Sequence, residues 1–396
     1  MASLPDMHAA EPIPAAAMND VLHLLQTGDL FRYTAKKDAP VSLLEAEFAQ
    51  RLGSRFALAV SSCSAALFLS LRSLDLPHGA RVLIPGFTFA AVPSAVIHAD
   101  CVPVLCECGP DYRLDMGDFA AKLPGCAAVI VSHMRGHTSD MDAIMALCEA
   151  AGVPVIEDAA HSLGTRWRGR NIGTIGAIGC FSFQSYKLLN AGEGGILVTD
   201  DADLVARAII MSGAYEHNWQ KHPVLTTACA RWQNRLPLYN MRLGNLSAAL
   251  IRAQLPELDR RVRDGRRNHD HVAALLNALP WLTVPAPLSG EERAPDSIQF
   301  NLSGVGPDAA AAFVARAAEA GVQIQIFGQS RDNARAFWNW EFLPEKVELP
   351  KTRAMLTTAC DMRLPARLTI AECDAVAGAV TDAITQVMAP ARATGT

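Results

Sequence analysis

Residues 179–201 read GCFSFQSYKLLNAGEGGILVTDD, and this stretch guides the interpretation of the whole chain. Two apolar runs, at residues 180–183 and 195–199, predict short buried strands, and Lys187 lies in the Gly-, Ser- and Asn-rich turn between them. An ammonium group between buried strands is costly to desolvate, so its pKa falls, which suits a lysine for Schiff-base chemistry. Ser182 offers a hydroxyl group to a phosphate, and the turn glycines let the backbone pass close to a flat ligand. The alternative is a solvated lysine in a hairpin turn.

The composition indicates a globular protein with a large and a smaller domain. The chain has 396 residues, 50% of them hydrophobic, and a formal net charge of −5. That charge provides no basic surface for nucleic acid, so no nucleic-acid partner is expected. The main group of basic residues has acidic residues among it and predicts a solvated helix face. Its members are Arg260, Arg261, Arg263, Arg266 and Arg267.

The ten cysteines predict neither a metal site nor a disulfide framework. No Cys-x-x-Cys pair occurs, and Cys101, Cys106 and Cys108, with His98 nearby, match no common zinc spacing. Scattered thiols in a chain of this length fit a reducing compartment. Neither a signal peptide nor an apolar run of membrane-spanning length is evident, so we expect a soluble cytoplasmic protein without membrane contact.

Alternating strand and helix patterns predict an α/β fold with a doubly wound sheet. Residues 1–29 are interpreted as a loose arm and a short helix, residues 30–257 as a large domain, and residues 258–396 as a linker helix and a small C-terminal α+β domain. Within the large domain, Ser42 and Glu45 have the capping-box spacing and predict that a helix begins at Ser42.

Small polar residues after the first predicted strand form a candidate anion site. The run SSCSAAL at residues 61–67 follows an apolar strand at residues 56–60 and precedes a helix. Free backbone N–H groups and the helix dipole attract a phosphate to such a position. An ordinary helix N-cap is the alternative explanation.

An aspartate ends another predicted strand. Asp158 follows the apolar residues 153–156, and ligands of doubly wound sheets bind beyond the carboxyl ends of the strands. An aspartate at such a place can hold a ring nitrogen of a bound cofactor. The alternative is a helix N-cap.

Taken in order, the motifs resemble the DegT/DnrJ/StrS family of sugar aminotransferases over about residues 30–380. They are SCSAAL at 62–67, TF at 88–89, EDAAH at 157–161, FSFxxxK at 181–187 with GEGG at 192–195, and YNxR at 239–242. Each motif serves a different need of one cofactor, pyridoxal 5′-phosphate (PLP). The resemblance implies a fold-type-I PLP enzyme whose large domain has a mainly parallel seven-stranded sheet flanked by helices.

The resemblance also implies a role for each site residue. Lys187 is the Schiff-base lysine and catalytic base, and Ser182 binds the cofactor phosphate. Asp158 pairs with the ring nitrogen, and His161 lies near the phenolic oxygen of the cofactor. Phe89 stacks on the ring, although a place in the protein core is the usual alternative for a phenylalanine.

Two positions of the phosphate motif differ from the usual family pattern Ser-Gly-Thr-Ala-Ala-Leu. Cys63 replaces the glycine and Ser64 replaces the threonine, so the hydroxyl group is kept. We expect both residues at the cofactor phosphate. The lost glycine leaves the backbone conformation of this turn open.

The YNxR motif implies a homodimer with a shared active site. In the family this asparagine, here Asn240, reaches the cofactor phosphate of the partner subunit, although Leu238 replaces the usual preceding glycine. Residues 213–240 are irregular, polar and aromatic, and a loop of that length is usually functional.

The implied reaction is a ping-pong transamination between small molecules, with glutamate or glutamine as donor and a carbonyl acceptor. The acceptor is a nucleotide-linked keto sugar or a keto or aldehydo sugar acid. Residues 133–137, 184–187 and 360–365 are similar to a subgroup that aminates an octulosonate sugar acid at its terminal carbonyl. Arg135 or Arg363 would then pair with a substrate carboxylate, and a structural role for both is the alternative.

Two other functions stay open. A PLP-dependent sugar dehydratase has a histidine in place of the lysine, which Lys187 argues against. A PLP-binding sensor or partner protein without catalysis would not need the full set of cofactor motifs.

Overall fold

The computed structural model describes residues 4–34, 38–222, 225–343 and 345–389. The helices are α1 (Ala17–Thr27), α2 (Pro40–Leu52), α3 (Cys63–Ser73), α4 (Ala91–His98), α5 (Met116–Lys122), α6 (Met141–Ala151), α7 (Ala202–Gly213), α8 (Thr226–Trp232), α9 (Asn245–Gln254), α10 (Leu258–Leu276), α11 (Pro307–Glu319), α12 (Pro350–Thr358) and α13 (Ile370–Met388). The strands are β1 (Phe56–Val60), β2 (Arg81–Pro85), β3 (Val102–Cys106), β4 (Ala128–Ser132), β5 (Val155–Asp158), β6 (Arg166–Trp167), β7 (Arg170–Asn171), β8 (Ile178–Ser182), β9 (Gly195–Thr199), β10 (Leu282–Thr283), β11 (Glu291–Glu292), β12 (Ser297–Leu302), β13 (Gln325–Ile326) and β14 (Ala359–Arg363).

The large sheet contains seven strands of the described part of the chain, in the order β1-β9-β8-β5-β4-β2-β3. Strand β9 runs antiparallel to both of its neighbours, and the other strands run parallel to one another. Strands β4, β5, β8 and β9 are buried along their whole length, as expected for a sheet covered by helices on both faces. The predicted fold class is therefore confirmed.

A second, antiparallel sheet has the order β10-β12-β14-β13. With α10, α11 and α13 it surrounds a core that is separate from the core of the large sheet. Side chains from residues 327–359, among them Phe327 and Trp340, pack instead into the core of the large sheet. The division at residues 29/30 and 257/258 stays a prediction.

The predicted capping box is wrong. Helix α2 begins at Pro40 with Ala39 as its N-cap, because proline is favoured in a first turn that needs no amide donor. Glu45 is buried and accepts two hydrogen bonds from the Arg32 guanidinium, at 2.8 and 3.0 Å. This carboxylate therefore ties the N-terminal segment to α2, which local spacing does not indicate.

Two further local predictions need correction. Residues 213–240 are not wholly irregular, since they contain the 3₁₀ turn Asn218–Lys221 and helix α8. Arg261 does not belong to a solvated face: it is 1% exposed, and its guanidinium donates hydrogen bonds to the carbonyl of Leu188 (2.5 Å) and to Gln254 Oε1 (3.0 Å). Tertiary contacts override the charge pattern at that position.

Across the described residues, no helix combines the length and the apolar character needed to cross a membrane.

Candidate active site

A pocket of about 650 Å³ lies where the carboxyl ends of β1, β2, β4, β5 and β8 face β14 of the second sheet. The predicted site residues that line it are Cys63, Ser64, Phe89, Arg135, Asp158, His161, Ser182, Lys187 and Arg363. A larger groove of about 1150 Å³ beside α10 holds none of them, and its lining mixes many arginines with acidic residues. We therefore take the smaller pocket, which holds the predicted site residues, as the candidate active site.

Lys187 is not a solvated side chain, because the loop between β8 and β9 directs it into the pocket. Its Nζ lies 2.9 Å from His161 Nε2. Burial lowers the pKa of Lys187 to about 8; the positive charge of Arg135 acts in the same direction, and Asp296 opposes both. Burial, followed by the charge of Lys187, also lowers the pKa of His161 well below its usual range, so the imidazole is neutral. The pair can share one proton.

Asp158 is the last residue of β5 rather than a helix N-cap, and polar groups hold its carboxylate in place. Oδ2 accepts a hydrogen bond of 2.5 Å from Ser132 Oγ at the end of β4. Ser132 Oγ also lies 2.6 Å from Thr88 Oγ1. Oδ1 accepts from the amide of Ala160 at 3.1 Å. Sequence reasoning missed Ser132 and gave Thr88 no role beyond its place in the TF motif, because the contact between them depends on the alignment of β2, β4 and β5.

The thiol of Cys63 also contacts the carboxylate of Asp158. Burial, and then the negative charge of Asp158, raise the pKa of the Cys63 thiol well above its usual range, so it stays protonated. Its Sγ lies 3.8 Å from Asp158 Oδ1 and acts as a weak donor. Cys63 is the first residue of α3 and is not among the residues with positive φ, so the lost family glycine causes no left-handed strain.

The glycine-rich turn before β8 wraps a buried carboxylate. Glu157 is fully buried beside Asp158 and accepts hydrogen bonds from the amides of Gly173 (2.8 Å), Ile175 (2.7 Å) and Gly176 (2.7 Å). Burial raises the pKa of Glu157, but the hydrogen bond from His133 and those from the amides of Gly176 and Gly173 together lower it by more, so the net direction is down. The turn thus supports the end of β5 through the carboxylate of Glu157.

The start of α3 and the end of β8 form a candidate phosphate site. Ser62 is the N-cap of α3, and its Oγ accepts from the amide of Ala65 at 3.0 Å. The amides of Cys63 and Ser64 are in the first turn, where no intrahelical acceptor exists. Ser182 ends β8 and lines the same pocket. An anion here would meet amides, hydroxyl groups and the positive end of a helix dipole.

Phe89 is not a core residue. Its side chain is 45% exposed and lines the pocket, and the guanidinium carbon of Arg335 lies 5.8 Å from its ring centroid. An exposed aromatic face in a polar pocket suits a flat ligand. Arg335 is a lining residue that sequence reasoning missed, because it lies in a stretch without a periodic pattern.

The two arginines predicted for substrate binding already have carboxylate partners. Arg135, at the left-handed φ of 55°, forms an ion pair with Asp361 of β14. Arg363 lies 3.4 Å from Asp296 and donates a hydrogen bond of 2.8 Å to the carbonyl of Tyr186. The Arg135–Asp361 pair joins the turn after β4 to the second sheet, and the bond from Arg363 to Tyr186 joins that sheet to the Lys187 loop. Both contacts favour the structural alternative for these arginines.

Asn240 is exposed and does not line the pocket of its own chain. Leu238 nearby is 51% exposed, and the guanidinium of Arg242 lies over the rings of Phe31 and Tyr215, which are also exposed. Apolar side chains therefore cluster on the surface around this motif.

Comparison with known proteins places the chain among aminotransferases. Residues 15–381 match the sequence model of the DegT/DnrJ/EryC1/StrS aminotransferase family. The 3-amino-5-hydroxybenzoate synthase of Amycolatopsis mediterranei is 30% identical over 368 residues, which cover 90% of each protein. The UDP-N-acetyl-3-dehydro-alpha-D-glucosamine 3-aminotransferase of Acidithiobacillus ferrooxidans is 37% identical over 248 residues, 60% of this chain and 63% of that protein.

A crystal structure supports the same assignment. That of 3-amino-5-hydroxybenzoic acid synthase superposes with a TM-score of 0.84 at 27% identity, over 97% of this chain and 100% of that chain. The sequence match and this superposition confirm the family that the motifs predicted.

Proposed function

The chain belongs to the DegT/DnrJ/EryC1/StrS aminotransferase family, and from this premise we propose that it moves an amino group from glutamate or glutamine to a carbonyl carbon of a sugar. One observation carries the proposal: a single pocket holds Lys187, whose pKa burial lowers to about 8, together with Asp158 and the start of α3. An amine, a carboxylate and an anion site in one pocket are what a PLP-dependent transaminase needs.

The residues present fit PLP. The amides at the start of α3 and Ser182 would hold its phosphate, the exposed ring of Phe89 would cover its ring, and Asp158 would face its ring nitrogen. When bound, PLP supplies an electron sink for the substrate carbon that loses a proton. Asp158 is held by Ser132 at 2.5 Å and is buried, so it would keep a proton on the ring nitrogen.

Lys187 is proposed to move the proton at the substrate carbon. Because its pKa lies near 8, a useful fraction of the amine is neutral at physiological pH, whereas an ordinary lysine with a pKa of about 10.4 would be a poor base. Neutral His161, 2.9 Å away, orients the Nζ and can accept a hydrogen bond from it. The same pocket would serve donor and acceptor in turn, as a ping-pong mechanism requires.

The acceptor is proposed to be a nucleotide-linked keto sugar or a keto or aldehydo sugar acid. The Acidithiobacillus relative is named for a UDP-linked amino sugar, which supports the sugar class. The similarity of residues 133–137 and 360–365 to the octulosonate subgroup supports a sugar acid.

The test is the first half-reaction. Protein reconstituted with PLP should show a visible absorbance that disappears on addition of glutamate or glutamine, and the Lys187→Ala protein should show neither the absorbance band nor turnover. Borohydride reduction followed by peptide mapping should label Lys187. Labelling of a different lysine, or an absorbance that persists with every amino donor, would contradict the proposal.

A further inference from the structure

Three arginines line the pocket, and two of them are already neutralised. Arg135 pairs with Asp361, whose other oxygen accepts a hydrogen bond of 2.8 Å from Gln299. Arg363 pairs with Asp296 at 3.4 Å. Both acidic groups are buried, and each forms an ion pair with its arginine.

The third arginine, Arg335, has no such partner. Within the described residues, no carboxylate lies within ion-pair distance of its guanidinium, and its buried Nε has no hydrogen-bond acceptor. The guanidinium lies over the rings of Phe89 and Phe327, at 5.8 and 5.7 Å from the ring centroids. Glu193 also lines the pocket, but it is exposed and forms no ion pair with Arg335.

The backbone around Arg335 is fixed to the large sheet. Ala336 forms an antiparallel bridge with Phe87, and the amide of Ala90 donates a hydrogen bond of 3.0 Å to the carbonyl of Ala334. The neighbours on both sides of Arg335 are therefore attached to the loop after β2. The side chain is held at the pocket wall rather than carried on a free loop.

The charge of this group is poorly compensated. Burial lowers the pKa of Arg335 to about 10 and the positive charge of Arg135 adds to that effect, while the negative charge of Asp361 opposes both only in part. The group is still charged at neutral pH, and a partly desolvated cation without an ion-pair partner of its own is unfavourable. An anionic ligand that reaches this wall would remove the imbalance, and a guanidinium binds a carboxylate through two parallel hydrogen bonds.

We propose that Arg335 binds the carboxylate of a substrate. The pocket would then select small molecules that carry a carboxylate in addition to the amino or carbonyl group that reacts. The inference rests on the proposed function, since donor and acceptor are taken to share this pocket. The donor and a sugar-acid acceptor could both supply the carboxylate, and the experiment separates the two sources. The phosphate group of the cofactor has a separate candidate site at the start of α3.

The first measurement is binding without turnover. Glutarate, a dicarboxylate without an amino group, is titrated calorimetrically into the PLP-loaded protein, with the neutral diamide glutaramide as ligand control. Arg335→Gln should weaken glutarate binding at least tenfold, because charge-assisted hydrogen bonds are lost, and should leave the visible absorbance unchanged. Arg335→Lys should lose less glutarate affinity, because it keeps the positive charge but cannot form two parallel hydrogen bonds to one carboxylate. This variant also tests the inference if the glutamine variant folds poorly. Arg331→Gln, at an exposed arginine of the same segment, is the matched control and should bind like wild type.

The second measurement compares the two half-reactions. If the donor supplies the carboxylate, Arg335→Gln should raise the glutamate concentration needed for half-maximal loss of absorbance. If the acceptor supplies it, the defect should appear with a keto sugar acid and be absent with the same sugar reduced to an alcohol at the acid carbon. Glutarate affinity within twofold of wild type together with unchanged half-reactions for both glutamate and the keto sugar acid, or weakened binding of UDP instead of glutarate, would overturn the inference. A wild-type protein without transamination whose glutarate binding still depends on Arg335 would refute the proposed function alone.

Discussion

At the scale of single residues, burial among like charges sets the chemistry of the pocket. Lys187, His161 and Arg335 all have lowered pKa values, because each is desolvated and each lies near other positive groups. The effect matters most for the reactivity of Lys187, because about one amine in ten is neutral at pH 7 when the pKa is near 8. In the same environment Arg335 remains charged and has no ion-pair partner among the described residues.

The lowered pKa of Lys187 predicts the pH dependence of its reactivity. In the cofactor-free protein, labelling of Lys187 by a small amine-reactive reagent should rise through about pH 8 and then level off, because only the neutral amine reacts. Peptide mass spectrometry measures the rate, and the urea-unfolded chain is the control, in which labelling should keep rising to about pH 10.4. The folded state binds fewer protons at Lys187 between these values, so this group makes stability rise with pH there. Identical pH profiles for the folded and unfolded chains would refute the prediction.

Asp158 should matter for rate more than for cofactor binding. We expect Asp158→Ala to retain PLP through the phosphate contacts and to lose most of its turnover, because no carboxylate keeps the ring nitrogen protonated. Reconstitution with N-methylated PLP, whose ring nitrogen carries a permanent charge, should restore part of the rate in the variant only. Near-normal turnover of Asp158→Ala with unmodified PLP would rule the assignment out.

At the scale of elements, the site is built from strand ends and one helix start. Parallel strands bring the residues after β1, β2, β4, β5 and β8 to one edge of the sheet, although these residues are far apart in the sequence. Gly195, at the start of β9, lets the turn before α3 lie against that edge. A Cβ at Gly195 would be 2.2 Å from the carbonyl carbon of Ser62 and 2.5 Å from the amide nitrogen of Cys63.

This contact predicts that Gly195→Ala is strongly destabilising. Because backbone and not a flexible side chain occupies the space, we expect the free energy of unfolding to fall by about 3 kcal/mol or more, together with weaker PLP capture. Gly378→Ala is the matched control: it lies within α13 with nothing within 4 Å of the new Cβ, and it should stabilise by roughly 0.5–1 kcal/mol. Urea unfolding measures both. A Gly195→Ala protein as stable as wild type would show that the turn can move.

At the scale of the whole molecule, the pocket depends on two sheets and, as the YNxR motif predicts, on two subunits. Strand β14 contributes Asp361 and Arg363 from the second sheet, so the pocket is complete only when that sheet is in place. Asn240 lies outside the pocket of its own chain, on a surface with exposed Leu238, Phe31 and Tyr215. Such a surface suits a second copy of the chain, which would carry Asn240 to the partner's phosphate site.

A shared site predicts complementation between inactive chains. A Lys187→Ala chain mixed with an Asn240→Glu chain should regain activity after subunit exchange, because one site of each hybrid dimer then carries both defects and the other carries neither. Random exchange at equal amounts gives up to about a quarter of the wild-type rate, since half of the dimers are hybrids with one intact site each. Steady-state assays before and after exchange measure this, with each variant alone as control. A fully active monomer, or no recovery despite proven exchange, would contradict the shared site.

The sequence by itself determined the kinds of elements and the family. Strands such as β3, β9 and β12 and helices such as α6 follow from short apolar runs and from glycine at a helix end, which are local signals. The cofactor motifs are equally local, because each one consists of neighbouring residues after a strand. Every predicted site residue except Asn240 lines one pocket, and the roles that the resemblance implies for them stay predictions.

Only the tertiary structure decided which side chains neutralise one another. Arg135 and Asp361 are separated by 226 positions in the chain, and no local pattern indicates that they pair. The same holds for Glu45 with Arg32, for Ser132 with Asp158 and for buried Arg261. The physical reason is that burial and ion pairing depend on which distant segments meet, whereas periodicity and motif spacing report only on neighbours in the chain. Arg335 became a candidate ligand for a carboxylate only after the partners of the other arginines were known.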